Sequence, residues 1–137
     1  MSFDVFVQDL PPDACKVADI PDDFAPKPIG RRADIVAGIL RAAPATNFDD
    51  PTWGMIEGPG FSIEVNIGPE EVLGSFAFHV RGGEEALFVV ADILHELRLR
   101  AIAPATDSGF FELSELGSAY SRWQAYRETV AGRAPDA

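Results

Sequence analysis

The sequence contains little cysteine and little histidine, and each shortage removes a class of site. Its 137 residues include 1 Cys and 2 His. A disulfide framework needs cysteine pairs, so the single Cys15 excludes one within the chain. Zinc sites need several convergent Cys or His ligands, and no HExxH or CxxC spacing is present. We therefore expect no metal site.

Basic residues are also scarce, with 11 Lys and Arg against 22 Asp and Glu and a net charge of -11. Phosphate backbones and anionic membrane surfaces are bound by basic surfaces. The sequence therefore argues against a nucleic-acid partner and against a membrane partner. Two explanations of the acidity stay open: it keeps the protein in solution, or it complements a basic protein partner.

Long apolar runs are missing as well, since none approaches the ~18 residues that a membrane-spanning helix needs. The first residues read MSFDVFVQDLPPD, with acids and no basic region, which is unlike a signal peptide. Together with the lone cysteine, this pattern predicts a cytoplasmic protein.

Motifs of known catalytic and cofactor sites are absent. Nothing matches the phosphate-binding patterns GxxxxGK[ST] and GxGxxG or the nucleophile pattern GxSxG. Gly82 and Gly83 precede a helix, but Glu84 and Glu85 follow them at the end where an anion would bind. We interpret the glycines as a strand-to-helix turn and expect no cofactor.

The strongest structural signal lies between Phe61 and Leu99. Apolar and polar residues alternate over residues 61–67 and again over 75–81, which is typical of strands with one buried face. An apolar stripe then runs from Ala86 to Leu97 and predicts a helix. Phe88 widens this stripe, so we expect the helix to be buried over most of its circumference.

The rest of the chain gives weaker elements in the order β-α-β-β-β-α-β-β-α. Residues 3–8 alternate like a strand, with Phe3, Val5 and Val7 inward. The remaining predictions are an irregular acidic segment 9–28, a helix 30–43, a loop 47–51, strands 52–57, 100–103 and 110–113, a helix 115–130 and a frayed tail 132–137.

These elements predict one α+β domain spanning residues 1–137. We expect a two-layer sandwich, in which a mostly antiparallel sheet carries helices packed chiefly on one face.

One cluster of polar residues follows from pairing residues 61–67 with 75–81. If both apolar faces meet the same core, paired residue numbers that sum to 143 place Glu64 opposite His79, Ser62 opposite Arg81, and Asn66 opposite Ala77. Cross-strand neighbours lie ~5 Å apart at Cβ. Ser62, Glu64, Asn66, His79 and Arg81 are then a candidate binding site. An ordinary solvated sheet face with the same pairs is the other interpretation.

A second candidate is Trp53, which follows Asp49 and Asp50. An aromatic residue beside acids suits protein recognition. A buried structural tryptophan fits the same pattern, and both interpretations stay open.

The span from Phe48 to Phe111 resembles small bacterial proteins of uncharacterised activity that carry the pattern DPxWG…GFSIEVNIG…FHVRGG. The matching segments are residues 50–54, 61–68 and 78–83. The resemblance implies no activity, cofactor or site. The chain is also similar in type to immunity proteins of toxin systems, which are small, acidic α+β domains.

Two functions follow as hypotheses. The first is a non-catalytic binding protein, of the immunity type, that neutralises a basic protein partner. The second is a small enzyme or ligand-binding domain that uses the Glu64, His79 and Arg81 cluster.

Overall fold

The structure is a computed structural model that describes residues 3–112. Within them, the helices are α1 (Arg32–Ala42) and α2 (Glu85–Leu97), with a 3₁₀ turn at Val17–Asp19. The strands are β1 (Phe3–Gln8), β2 (Gly30–Arg31), β3 (Asn47–Asp50), β4 (Trp53–Gly58), β5 (Phe61–Asn66), β6 (Val72–Leu73), β7 (Ser75–Gly82) and β8 (Ala101–Ile102).

Six of these strands form one antiparallel sheet in the order β3-β4-β5-β7-β1-β8. The longest strand, β7, lies inside the sheet and pairs with β5 on one side and β1 on the other. Strands β2 and β6 pair separately as a small two-stranded sheet. The predicted α+β class with a mostly antiparallel sheet is therefore confirmed.

One face of the sheet is apolar because alternate side chains of each strand point to the same side. In β7 these are Phe76, Phe78 and Val80, which are buried against apolar residues of β1, β5 and both helices. Their fully buried neighbours include Val5, Ile39, Ile63, Val65, Val90 and Ile93. The core thus lies between this face and the helix layer.

Helix α2 begins and ends close to the predicted bounds, but its predicted burial is wrong on one side. The buried stripe consists of Ala86, Leu87, Val90, Ile93 and Leu94. Phe88, which was expected to widen that stripe, is 59% exposed. The sheet and α1 together cover only part of a helix surface, and Phe88 projects from the remainder.

The segment predicted as the loop 47–51 contains an edge strand, β3. Phe48 packs against the core, and its ring lies over Gly54 of β4, where a Cβ would come within 2.6 Å of it. Because Gly54 has no side chain, the Phe48 ring can cross the neighbouring strand. The loop prediction was wrong because it rested on the asparagine, the two aspartates and the proline of the segment, which are typical of turns.

Helix α1 begins two residues later than predicted. Gly30 and Arg31 pair with Leu73 and Val72, and the Arg32 backbone N–H donates to Glu71 O at 2.8 Å. Pairing with a distant segment therefore replaces the first helical turn, which no local pattern could indicate.

Segment 9–28 is irregular apart from the 3₁₀ turn, as predicted. Leu10 and Ala14 hold it against Phe110 in a small second cluster. Residues 110–112 are the described part of the predicted strand 110–113, and of these Phe110 alone forms a β-bridge, with Ile102. The predicted helix 115–130 and tail 132–137 lie outside the described residues.

Among residues 3–112, no helix combines the length and the apolar character that crossing a membrane requires.

The turn between β7 and α2 yields a stability prediction at Gly82. Its φ is 97°, and a Cβ there would lie 2.1 Å from Gly60 O and 2.6 Å from Phe61 Cα. A strained backbone of this kind costs roughly 1–3 kcal/mol, and the backbone clash adds to it. Gly82→Ala should therefore lower the free energy of unfolding by at least about 1 kcal/mol in a denaturant titration.

Gly74→Ala is the matched control, because no atom of residues 3–112 lies within 4 Å of a Cβ at this exposed glycine. It should change the free energy of unfolding by less than about 0.5 kcal/mol. Equal effects of the two variants would contradict the close contact between the two turns.

Candidate functional site

The face of the sheet opposite the helices is polar at its centre and remains accessible. Its side chains occupy the strand positions that alternate with the buried ones. We call this surface the open face, formed by Asp4, Phe6, Gln8, Trp53, Met55, Glu57, Ser62, Glu64, Asn66, Ser75, Ala77, His79, Arg81 and Ile102.

A row of side chains crosses the open face at His79. The register pairs Met55 with Glu64, Glu64 with His79, and His79 with Asp4. We call these residues the ionic row. The predicted pairing of Glu64 with His79, and that of Ser62 with Arg81 and Asn66 with Ala77, is confirmed.

The side-chain contacts made by the ionic row do not follow the cross-strand pairing of Glu64 with His79. His79 Nδ1 lies 2.8 Å from Asp4 Oδ1, so the carboxylate that His79 contacts belongs to β1. Glu64 instead approaches Arg81, with Oε1 3.3 Å from Nη1. The sequence could not indicate the contact with Asp4, because it does not show that β1 lies beside β7.

The contact with Asp4 determines which ring nitrogen of His79 faces outward. An ionised carboxylate only accepts hydrogen bonds, so Nδ1 must donate. In the neutral ring Nε2 then carries the lone pair, and it lies one bond further from the backbone. The imidazole is held in one orientation while its outer nitrogen can accept a hydrogen bond from a partner.

A second row crosses the open face beside the ionic row and is largely apolar. The register aligns Trp53, Asn66, Ala77, Phe6 and Ile102 across five strands, β4, β5, β7, β1 and β8. We call these residues the aromatic row. Phe6 is 38% exposed and Trp53 42% exposed. Exposed aromatic side chains are enriched in interaction surfaces, and here two of them share one row across the sheet.

The small side chain of Ala77 leaves a shallow depression in the aromatic row. It has a volume of about 410 Å³ and is lined by Phe6, Gln8, Asn66, Ile67, Ser75, Phe76, Ala77 and Ile102. The floor is apolar and the rim supplies amide and hydroxyl groups. The depression could take one apolar side chain of a partner.

Trp53 lies at the end of the open face, beside the turn between β3 and β4. Asp50 pairs with Trp53 in the register, and the Asp50 Oδ1 atom accepts hydrogen bonds from the Thr52 backbone N–H at 2.9 Å and the Thr52 hydroxyl at 2.7 Å. These two donors lower the pKa of the Asp50 carboxyl, because they stabilise its ionised form. Because Trp53 is 42% exposed, it is not the buried structural tryptophan of the second interpretation.

A cavity of about 700 Å³ lies elsewhere, beside the C-terminal end of α2. Arg100 lines it but is already engaged. Its guanidinium donates to Pro11 O at 2.6 Å and Ala14 O at 2.9 Å and lies 4.3 Å from the Phe110 ring centroid. Arg100 thus holds the segment 9–28 in place, and we do not assign a site to this cavity.

Within residues 3–112, no group of three or more His, Cys, Asp or Glu side chains is arranged to hold a metal ion. Arg81 lies beside Glu64 on the open face and offsets part of the acidic charge there.

Sequence reasoning found the polar half of the open face and missed most of the apolar half. Phe6 and Ile102 are absent from the predicted site residues, as are Asp4 and Met55. The alternation in β1 contains a signal for Asp4 and Phe6, since Phe3, Val5 and Val7 point inward. That alternation does not show which strands lie beside β1 in the sheet.

Comparison with known proteins adds no relative: no family model, curated protein or solved structure matches the chain. The resemblance to the bacterial proteins with the FHVRGG pattern stays a prediction.

The contact between Asp4 and His79 is testable through the tautomer of the ring. Asp4→Ala removes the acceptor, so the neutral imidazole should lose its preference for the proton on Nδ1. Imidazole ¹⁵N chemical shifts measure this directly. The free energy of unfolding should fall by only ~0–1 kcal/mol, because both side chains are partly exposed.

Glu64→Gln serves as the control for this measurement. Glu64 contacts Arg81 instead of the ring, so the ¹⁵N shifts of His79 should stay at their wild-type values. If the ¹⁵N shifts of His79 changed in Glu64→Gln but not in Asp4→Ala, the contacts of His79 with Asp4 and of Glu64 with Arg81 would be contradicted.

Proposed function

We propose that the protein is a non-catalytic binding protein whose open face binds a protein partner with a basic surface. More specifically, the protein is an immunity-type module, which neutralises its partner by covering the partner's surface.

The aromatic row carries this proposal. Binding energy at protein interfaces is concentrated in a few aromatic and charged anchors, surrounded by contacts that exclude water. We assign Phe6 and Trp53 this role: Phe6 lines the shallow depression at Ala77, and Trp53 lies at the other end of the same row. In the adjoining ionic row, Asp4 restrains His79, and Glu64 is restrained by the neighbouring Arg81. A preordered surface loses less conformational entropy on binding.

Charge supports a basic partner. On the open face, Asp4, Glu57 and Glu64 are acidic, and Arg81 is the permanently basic residue that offsets them. Asp49 and Asp50 extend the acidic character at the Trp53 end. The whole chain has a net charge of -11, so its long-range field also attracts a basic protein.

The compartment that we propose is the cytoplasm. Cys15 is an exposed free thiol, and thiols of this kind stay reduced in a reducing compartment.

Acid–base chemistry is the second candidate function, and the ordered His79 favours it. A carboxylate that fixes the imidazole tautomer is also found in catalytic triads. However, neither of the two depressions at the open face is lined by His79. A general base must also lie within hydrogen-bond reach of the group from which it takes a proton. We therefore rank binding above catalysis.

Replacing Phe6 tests where the partner binds. Phe6→Ser should weaken the complex with the partner by at least about fivefold, because truncating an anchor costs more than ~1 kcal/mol. The partner is first isolated on the tagged wild-type protein from an extract of the source cells. The affinity of each variant for it is then measured by surface plasmon resonance.

Phe88→Ser is the matched control, since Phe88 is an exposed phenylalanine on α2, away from the open face. Its affinity should match that of the wild type. A loss with Phe88→Ser and none with Phe6→Ser would assign binding to the helix layer and refute the proposal.

The acidic surface predicts that the rate of association with a basic partner depends on salt. At physiological ionic strength the Debye length is ~8 Å, so attraction between exposed charges is already partly screened. The association rate constant should therefore fall steeply as NaCl is raised from low to physiological concentration, while the dissociation rate constant changes less. A salt-independent association rate would attribute the acidity to solubility alone.

A further inference from the structure

We propose that the depression at the Trp53 end of the open face seats an arginine side chain of the partner. This inference rests on the proposed function and names the group that is recognised. The depression has a volume of about 340 Å³ and is lined by Asn47, Asp49, Asp50, Trp53 and Met55.

An aromatic ring and a thioether supply one wall of the depression. Trp53 and Met55 are successive outward residues of β4, and Trp53 is 42% exposed. Tryptophan has the best ring for attracting a cation through its π face. The attraction between an exposed tryptophan and a cation is strongest when the cationic group lies over the face of the ring.

Carboxylates supply the other wall and determine the sign of the charge that fits. Asp50 is the direct cross-strand partner of Trp53. Both hydrogen bonds from Thr52 end on its Oδ1 atom, and among residues 3–112 no donor reaches Oδ2. Asp49 is exposed, and its backbone N–H is bound by Asn47 Oδ1 at 2.8 Å, which fixes the strand beside the depression.

The turn keeps this arrangement in place before a partner arrives. Thr52 holds the Asp50 carboxylate through two donors, and Asn47 pairs with Met55 across β3 and β4. The Phe48 ring over Gly54 locks the same two strands on the core side. The walls are therefore built from a short, restrained hairpin.

Arginine fits these walls better than lysine or a metal ion. The planar guanidinium stacks on an aromatic face and donates parallel hydrogen bonds to a carboxylate at its edge. Lysine carries a compact, strongly hydrated charge and cannot stack in this way. A hard metal ion would need several converging oxygen ligands, whereas the Trp53 and Met55 wall offers none.

The test uses a defined probe. Acetyl-Gly-Arg-Gly-amide is titrated into the ¹⁵N-labelled protein at constant ionic strength, and the Trp53 indole N–H resonance is followed, assigned separately from that of Trp123. We expect a saturable shift. The isosteric neutral peptide with citrulline in place of arginine should bind at least about fivefold more weakly, and the lysine peptide should fall between them.

Two variants locate the binding. Asp50→Asn keeps the Oδ1 acceptor of the turn and removes the charge, so it should weaken arginine binding roughly two- to fivefold. Asp22→Asn removes the same charge from the exposed segment 9–28 and should leave binding unchanged. Trp53→Leu has no indole at position 53 to follow, so the backbone amide of Asp49, which also lines the depression, is the reporter for this variant. Its saturable shift should be lost.

Three results would overturn the inference: equal binding of the arginine and citrulline peptides, an equal loss with Asp22→Asn, or a Trp53 resonance that does not move. Partner binding by two variants distinguishes a failure of the arginine site from a failure of the proposed function. If the partner still binds Trp53→Leu but not Phe6→Ser, then only the arginine site is wrong. If it binds both variants as well as the wild type, the open face is not the interface.

Discussion

The structure depends on the two-residue period of β7, because this strand faces the core with one set of side chains and the open face with the other. Phe76, Phe78 and Val80 are buried against the helix layer, and Ala77, His79 and Arg81 lie between them in sequence on the opposite side. A shift of one residue would exchange the two sets. The core therefore fixes the register on which the open face depends.

Because β7 pairs with a strand on each edge, its outward side chains line up with those of its neighbours and form rows across the sheet. β5 brings Glu64 and Asn66 to one side of β7, while β1 brings Asp4 and Phe6 to the other. The ionic row restrains His79 through Asp4, and the aromatic row places Phe6 in line with Trp53. Neighbouring rows of charged and aromatic side chains combine orientation with apolar area, which is what protein recognition uses.

The hairpin of β3 and β4 shows how a local prediction fails at an edge. Asn47, Asp49, Asp50 and Pro51 are typical turn residues, and the segment was predicted to be a loop. Phe48 makes it a strand, because its ring packs over Gly54 and reaches the core. The acids at this exposed edge also discourage further strand pairing. Composition predicted the turn but could not predict the packing that extends β3.

The sequence by itself determined which residues face inward, since hydrophobic periodicity is a local property: Ile63, Val65, Phe78 and the stripe of α2 were all predicted from it. It also determined the acidity and, through the shared core of two strands, the pairing of Glu64 with His79. Only the tertiary structure decided that β1 and β8 complete the sheet beside β7. Asp4 and His79, which are separated by 75 positions, meet there. Such contacts follow from the packing of the whole chain, and no local pattern of either segment specifies its partner.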